Sequence, residues 1–454
     1  MKRSRVVLCL ATIAAAGVPA AAHAQAFGLN EIGSCATGRL VAVTGAPCDD
    51  ASTIYWNPAA ATTLRGVSVY LGAAAIAVDG GFRADLTNRF YGADVPTSVP
   101  PHGFVNWKQS DRLALGLGVY VPYGLTSQWK ADFPGRFSAQ KAALASIYVQ
   151  PNIAYDVVPG RLSIGGGPIF GHSTVELKQS IDAISSNPAL IGAGIAPGTE
   201  IGRARLTGSA NGFGAQFGVY AHVTPTFTLG MRYLTAIDFK YDAATARFTQ
   251  TVTGIRVPLP TGGYALLDTL VAKQFVSGGP LTEQTGKTHI RHPGQLQFGV
   301  GFTGITNTTL SVDAGFLQWS SFKELPLSFS GGAPSRTIIE DYKNSYSVRG
   351  GIEHRFMPLG IAGRAGFGYT QTPAPDETVT PLLPDMNRYN YGFGIGLPLG
   401  ARYALDASYL RVDTKGRRGR IVERNSRTQT AESLNSGAYT LAANIVSLSL
   451  KAQF

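Results

Sequence analysis

Gly299-Val300-Gly301-Phe302-Thr303-Gly304 carries the G-x-G-x-x-G spacing that lets a backbone approach a pyrophosphate. That chemistry needs a strand before the glycines and a helix opening after them. Here all of them fall within one alternating stretch, so nucleotide binding is set aside. His289 and His292 stand three apart, close enough for two imidazoles to share a metal. Their surroundings read instead as an exposed polar loop, and the other histidines show no ligand spacing. Neither a G-x-S-x-G nucleophile elbow nor an H-E-x-x-H zinc pair occurs. No catalytic residue, metal or cofactor is expected, although a Ser–His pair brought together from separate strands, as in an outer-membrane lipid-modifying enzyme, would leave no trace in spacing. Arg411, Lys415, Arg417, Arg418, Arg420, Arg424 and Arg427 crowd one stretch. With no recognition module around them they do not read as a nucleic-acid site. They suit either pairing with lipopolysaccharide phosphates or plain solvation.

The elements that would hold such residues follow from composition. Only 15% of the 454 residues are charged, against roughly 25% in a soluble domain. Gly numbers 55 and aromatics reach 10%, while 39 Lys+Arg against 28 Asp+Glu give a net charge of +11. So many glycines without a G-X-Y repeat exclude collagen, and the aromatics exclude a disordered polymer. Lys2, Arg3 and Arg5 precede a short apolar run, Val6 to Val18, and Ala22-His23-Ala24 follows. This is a signal peptide over residues 1–24, with the mature chain starting near Gln25; Cys9 comes too early to be a lipoprotein acylation site. Losing three basic residues leaves 36 against 28, or +8. After residue 24 no apolar run approaches the ~18 residues of a spanning helix. The other structure that satisfies every backbone group in lipid is a closed sheet.

Period-two alternation supports the sheet. Val446, Leu448, Leu450, Ala452 and Phe454 share one face, and Ser447, Ser449, Lys451 and Gln453 the other. The same dyad recurs in Leu296/Phe298/Val300/Phe302, in Tyr346/Val348/Ile352/Phe356 and in Tyr389/Tyr391/Phe393/Ile395. Alternation alone does not say which face is outward; the connections decide the architecture. Strands are expected near 66–78, 101–108, 112–122, 142–156, 161–178, 203–222, 226–248, 294–305, 307–322, 342–356, 360–372, 387–397, 401–412 and 439–454. Short turns such as Gln109-Ser110-Asp111, Val158-Pro159-Gly160, Thr306-Asn307 and Met357-Pro358 alternate with long loops near 79–100, 123–141, 179–202, 249–293, 323–341, 373–386 and 413–438. An even strand count with turns on one side and loops on the other gives an all-β, 14-stranded antiparallel transmembrane β-barrel of a bacterial outer membrane, spanning 65–454. The terminal Phe454 suits the barrel-assembly machinery.

Residues 25–64 lack sustained alternation. They form either a periplasmic tail or an N-terminal hatch, a plug closing the lumen that so many strands leave. Asn57 can cap a short helix with Pro58 at its first position. Cys35 and Cys48, the cysteines of the mature chain, are expected to pair, since export exposes them to an oxidising compartment.

Seven short motifs now carry a resemblance. They are Phe27-Gly28-Leu29-Asn30-Glu31, Asp49-Asp50-Ala51 with Asn57-Pro58-Ala59, Pro122-Tyr123-Gly124-Leu125, Gly135-Arg136-Phe137, Trp319-Ser320-Ser321-Phe322, Gln371-Thr372-Pro373, and Leu383-Pro384-Asp385-Met386-Asn387-Arg388-Tyr389. In this order and spacing the chain resembles the FadL family of outer-membrane long-chain fatty-acid and hydrocarbon transporters, nearly end to end. The resemblance implies a plugged barrel that captures an amphipathic ligand between extracellular loops and passes it to a buried pocket. Hatch movement would then release the ligand sideways into the membrane, through a gap beside a kinked early strand. It makes Asn57, Pro58 and Ala59 the hatch and gating residues.

For a ligand head group the candidates are Arg136 and the lumen-facing Arg349 and Arg388, with Asp385 or Glu353 as partner of Arg388. The apolar residues of the loops at 179–202 (Ile181, Ile184, Leu190, Ile191, Ile195) and 249–293 (Leu266, Leu267, Leu270, Val271) either wall a capture groove or pack on each other at the barrel mouth. The expected function is monomeric, passive import of long-chain fatty acids. Aromatic or terpenoid hydrocarbons are the alternative cargo, an enzyme or an aqueous porin the rivals of another class.

Overall fold

The computed structural model describes residues 27–85, 87–260, 262–419 and 436–454; the signal peptide expected at 1–24 and Arg420, Arg424 and Arg427 lie outside the described residues. Fourteen antiparallel strands close into a barrel. They are β1 (Val67–Ala84), β2 (Pro101–Lys108), β3 (Leu113–Gln128), β4 (Lys141–Val158), β5 (Leu162–Asp182), β6 (Glu200–His222) and β7 (Phe227–Leu234, resuming as Ile237–Gln250). Then follow β8 (Gln284–His292, resuming as Gln295–Ile305), β9 (Thr308–Leu317), β10 (Ser345–Phe356), β11 (Ile361–Thr370), β12 (Arg388–Leu399), β13 (Tyr403–Thr414) and β14 (Gly437–Gln453). Closure is by β1 against β14, in unbroken register from Ser68↔Gln453 to Ala84↔Gly437. Among the described residues no helix is long and apolar enough to cross a membrane; this chain crosses with strands.

Burial settles which face is outward. Val446, Leu448 and Leu450 are exposed, whereas Ser447 and Ser449 are buried; likewise Phe298 and Val300 point out, and Gln295 and Gln297 in. The apolar face therefore meets lipid and the polar face lines the lumen, the reverse of a soluble sandwich. Several strands run further than their apolar alternation: β3 reaches Gln128, β5 reaches Asp182, β6 begins at Glu200, and a segment of β8 begins at Gln284. These ends stand beyond the apolar band with polar residues on both faces, so hydrophobic periodicity does not mark them. One expectation is corrected here. His289 and His292 lie on β8, not in a loop. Three apart on a strand means opposite faces: His289 pairs outward with Asp238 at 2.9 Å, and His292 is buried against Tyr148. They cannot share a metal.

Residues 27–64 run inside the barrel and touch the lumen face on several sides. A short helix α1 (Ser34–Gly38) places the Ser34 hydroxyl 2.8 Å from both Ser447 and Ser449 of β14. A Cys35–Cys48 disulfide, with Cα atoms 6.3 Å apart, ties the segment to itself. A second short helix α2 (Thr53–Trp56) leads to a 3₁₀ turn, Pro58–Thr63, with Asn57 between them and Pro58 at the first position. Lumen-facing glycines make room for this contact. A Cβ on Gly218 of β6 would stand 2.7 Å from Pro58 Cδ, and one on Gly230 of β7 would overlap the Thr44 carbonyl.

Candidate ligand path through the barrel

Three features stand out between the barrel mouth and its wall. The first is an apolar slot between β1, β3 and the β11–β12 loop, lined by Val78, Leu125, Trp129, Leu383 and Met386 and ending on Arg388. Trp129 is set by its own ring nitrogen, which donates to the Pro381 carbonyl at 3.0 Å, and by stacking on Phe133 at 4.2 Å between centroids. Its free space is about 60 Å³, a few waters' worth, so in this conformation the slot is nearly shut.

Arg388 is shared with a second, polar cell behind the slot, lined also by Glu31, Thr370, Arg349 and Asn390. That cell has about 20 Å³ of free space, enough for one water. Arg388 donates to Asp385 at 3.2 Å, choosing between its two expected partners; Glu353 instead binds Arg364 at 2.7 Å. Arg349 is differently placed. Asp313 stands opposite it on β9, but the Asp313 Oδ2 accepts from the Val43 and Thr44 backbone N–H groups at 3.0 and 2.8 Å. The buried Arg349 Nη2 has no hydrogen-bond partner among the described residues. Glu31 completes the cell. Burial raises the pKa of its carboxyl, opposed by the Asn30 N–H and by the Arg388 and Arg349 charges.

The third feature is in the wall. β2 pairs with β1 only from Val67↔Trp107 to Ala73↔Pro101, and with β3 only up to Gly103↔Val119. Above it β3 is irregular, its register with β4 shifting between Tyr120 and Tyr123 around Val121 and Pro122. A groove of about 450 Å³ opens there, lined by lumen-facing Phe104 and Tyr120 and by lipid-facing Leu71, Val105 and Val119 together. Just above, the N-terminal segment repairs the free edge of β3: Leu29 N–H donates to the Pro122 carbonyl and Gly124 N–H to the Phe27 carbonyl, each at 2.9 Å.

The other sequence candidates fall into place around this path. Arg136 is not in the cell; it is tied to Glu200 at 3.0 Å and donates to the carbonyl of Phe133, whose ring stacks on Trp129 of the slot. Asn57 is fully buried, its Nδ2 donating to the carbonyls of Thr44 and, on β6, Val219, each at 3.0 Å, while its Oδ1 accepts from Ala59 N–H at 3.2 Å. The two apolar loops pack on each other, with Ile184, Leu190 and Ile195 against Leu267 and Val271. In the basic stretch, Arg411, Arg417 and Arg418 are matched by Asp413, Asp376 and Asp85. Sequence reasoning did not single out Glu31 or Trp129 as site residues. Glu31 could have been found as the lone acid of the first motif; Trp129, in a polar loop pattern, carried no signal.

A sequence model of the family described as outer membrane protein transport protein (OMPP1/FadL/TodX) matches residues 15–454. The chain belongs to this family. Like other members of the FadL/TodX family it is an outer-membrane transport protein. It is 26% identical over 482 aligned residues to an outer membrane protein of Neisseria meningitidis serogroup B, covering 99% of this chain and 98% of that one. It is 24% identical to a 47 kDa outer membrane protein of Pasteurella multocida, covering 91% and 93%. Among solved structures, a Pseudomonas aeruginosa FadL homologue superposes with a TM-score of 0.79 at 21% identity, over 95% of this chain and 100% of that one. The Pseudomonas putida toluene transporter TodX gives 0.68 at 12%, over 95% and 99%. These likenesses fix the FadL/TodX barrel. The cargo has to be argued from the path.

Proposed function

We propose that this protein imports long-chain fatty acids, or similar amphipathic compounds, by passive facilitated diffusion and releases them sideways into the membrane, with residues 25–64 acting as a hatch. The observation that carries the reading is an apolar slot ending on Arg388, beside a buried Arg349 whose Nη2 lacks a hydrogen-bond partner among the described residues. A buried guanidinium N–H left without a hydrogen-bond partner costs about 1–3 kcal/mol, and an anionic head group arriving there relieves it. The slot would take the tail. The wall groove supports lateral release, because an apolar chain gains about 0.8 kcal/mol per buried CH₂ by never entering water.

A second reading, aromatic hydrocarbon import, is favoured by the stacked Trp129 and Phe133 at the slot and by the solved relatives named for toluene and monoaromatic hydrocarbons. Arg349→Gln separates the two. In cells with matched surface levels it should cut labelled oleate uptake about tenfold, a loss of roughly 1.4 kcal/mol, and leave toluene uptake unchanged. Equal effects on both cargoes, or none on either, would remove the head-group reading.

A further inference from the structure

We propose that the outward face of β4, β5 and β6, above the lipid band, is a binding site for the phosphorylated sugar headgroup of lipopolysaccharide. The observation is a register coincidence. Lys141 of β4 stands directly opposite Lys178 of β5, Lys178 opposite Arg205 of β6, and Arg205 opposite Arg247 of β7. Their strand neighbours Ala142, Leu206 and Ala246 are buried inward, so the four cations share the outer face. Like charges directly opposed across strands are destabilising. Arg247 has its own acid, Glu283, at 2.7 Å. The other three share one carboxylate: Glu176 receives Lys141 at 2.6 Å, Arg205 at 2.8 Å and Lys178 at 3.2 Å. The cluster keeps a surplus of positive charge, exposed from 21% at Lys141 to 51% at Arg205, with no second carboxylate paired to these three among the described residues.

Height selects the occupant. Down the same face of β4 the first large exposed apolar side chain, past the small Ala143 and Ala145, is Ile147; on β5 and β6 it is Phe170 and Phe213. From Ile147 to Lys141 is ~20 Å along the strand, hence about 15 Å of height at a tilt near 40°. A phospholipid headgroup layer adds only about 5–7 Å beyond the acyl chains and falls short. A headgroup built of phosphorylated sugars reaches the row, and Arg and Lys pair with its phosphates through charge-assisted hydrogen bonds.

The test uses purified full-length protein with three probes: rough-type lipopolysaccharide, the same material stripped of phosphate, and phosphatidylglycerol. The parent should retain the first at least tenfold better than the other two, with the preference fading as salt rises. Replacing Lys141, Lys178 and Arg205 together by Ser should abolish the preference, whereas Lys141→Arg with Lys178→Arg should keep it. Glu176→Gln, which removes the competing internal anion, should tighten retention, and it decides the matter even if the triple variant fails to fold. Equal retention of all three probes by the parent, or weaker retention by Glu176→Gln, overturns the site.

Discussion

The N-terminal segment is held in opposite ways on the two sides of the lumen. Toward β6–β9 it is fixed by groups that leave no slack: Asn57 reaches the β6 backbone, Gln216 donates to the carbonyls of Ile54 and Tyr55 at 3.0 and 2.7 Å, and Asp313 receives two consecutive N–H groups. Glycines there let backbone meet backbone. Toward the upper end of β3 and the β11–β12 loop it is looser at its start, where Asn30 and Glu31 border the water-sized cell and residues 27–29 make two hydrogen bonds to the edge of β3, although residues 37–40 pack closely on Gly351, Gly366, Gly392 and Gly394 of β10–β12. The difference says which part of a hatch could shift: residues 27–31 have somewhere to go, and residues 42–60 do not.

The largest effect should come from attacking the fixed side. Gly230→Val puts a side chain where the Thr44 carbonyl lies, with the hydrogen-bonded Asn57 amide 2.9 Å away. Residues 42–60 then cannot seat, and single-channel recordings should show a large steady conductance where the parent is closed. Gly103→Ala on β2 is the control. Its Cβ would meet only a Leu71 methyl at 3.0 Å, and it should stay closed. A closed Gly230→Val channel would mean that the segment is not what shuts the lumen.

Asn57→Ala comes next. It removes two donated bonds and one accepted bond from a buried site, each worth about 1 kcal/mol and more where a carbonyl is left unpaired. The strands and Phe454 are untouched, so the barrel should assemble normally while oleate and toluene uptake both fall several-fold. Normal uptake of both would reduce Asn57 to a helix cap. Loss of folded barrel would make it a stability residue.

The two sides were not equally legible in the sequence. The strands and their alternating connections could be read because lipid on one face and a polar lumen on the other impose a period of two, as at Val446 to Phe454. The polar upper ends of β3, β5, β6 and β8 carry no such contrast, and periodicity does not separate them from loop. Of the three arginines, Arg349 and Arg388 were placed on the lumen side by parity, and the barrel curvature then brings them to one cell. Arg136 lies in a connection, where no periodicity predicts direction. The fixed side is half visible: period-two parity puts Gly299 and Gly301 on the same face as Gln295 and Gln297, but which glycine meets which carbonyl of the N-terminal segment depends on register between segments far apart in sequence.

The smallest effect should appear in the roof over the open side. The β9–β10 loop reaches it through Glu340, whose carbonyl accepts from the Thr378 hydroxyl at 2.7 Å. Thr378 belongs to the loop whose Leu383 and Met386 line the slot. Burial pushes the Glu340 carboxyl up to about 8, only partly offset by the Tyr342 hydroxyl beside it. A carboxyl raised in the folded state favours the closed roof fully below its unfolded pKa, and that contribution is lost as pH rises through about 8. Between pH 7 and 9 amide exchange, corrected for its base-catalysed intrinsic rate, should therefore quicken in residues 323–342 and 374–386, while residues 42–60 keep their protection. Glu340→Gln, neutral at every pH, should flatten the response without opening the loops at pH 7. If exchange instead rises equally in residues 42–60, the two sides of the lumen are one cooperative unit and the contrast between them fails.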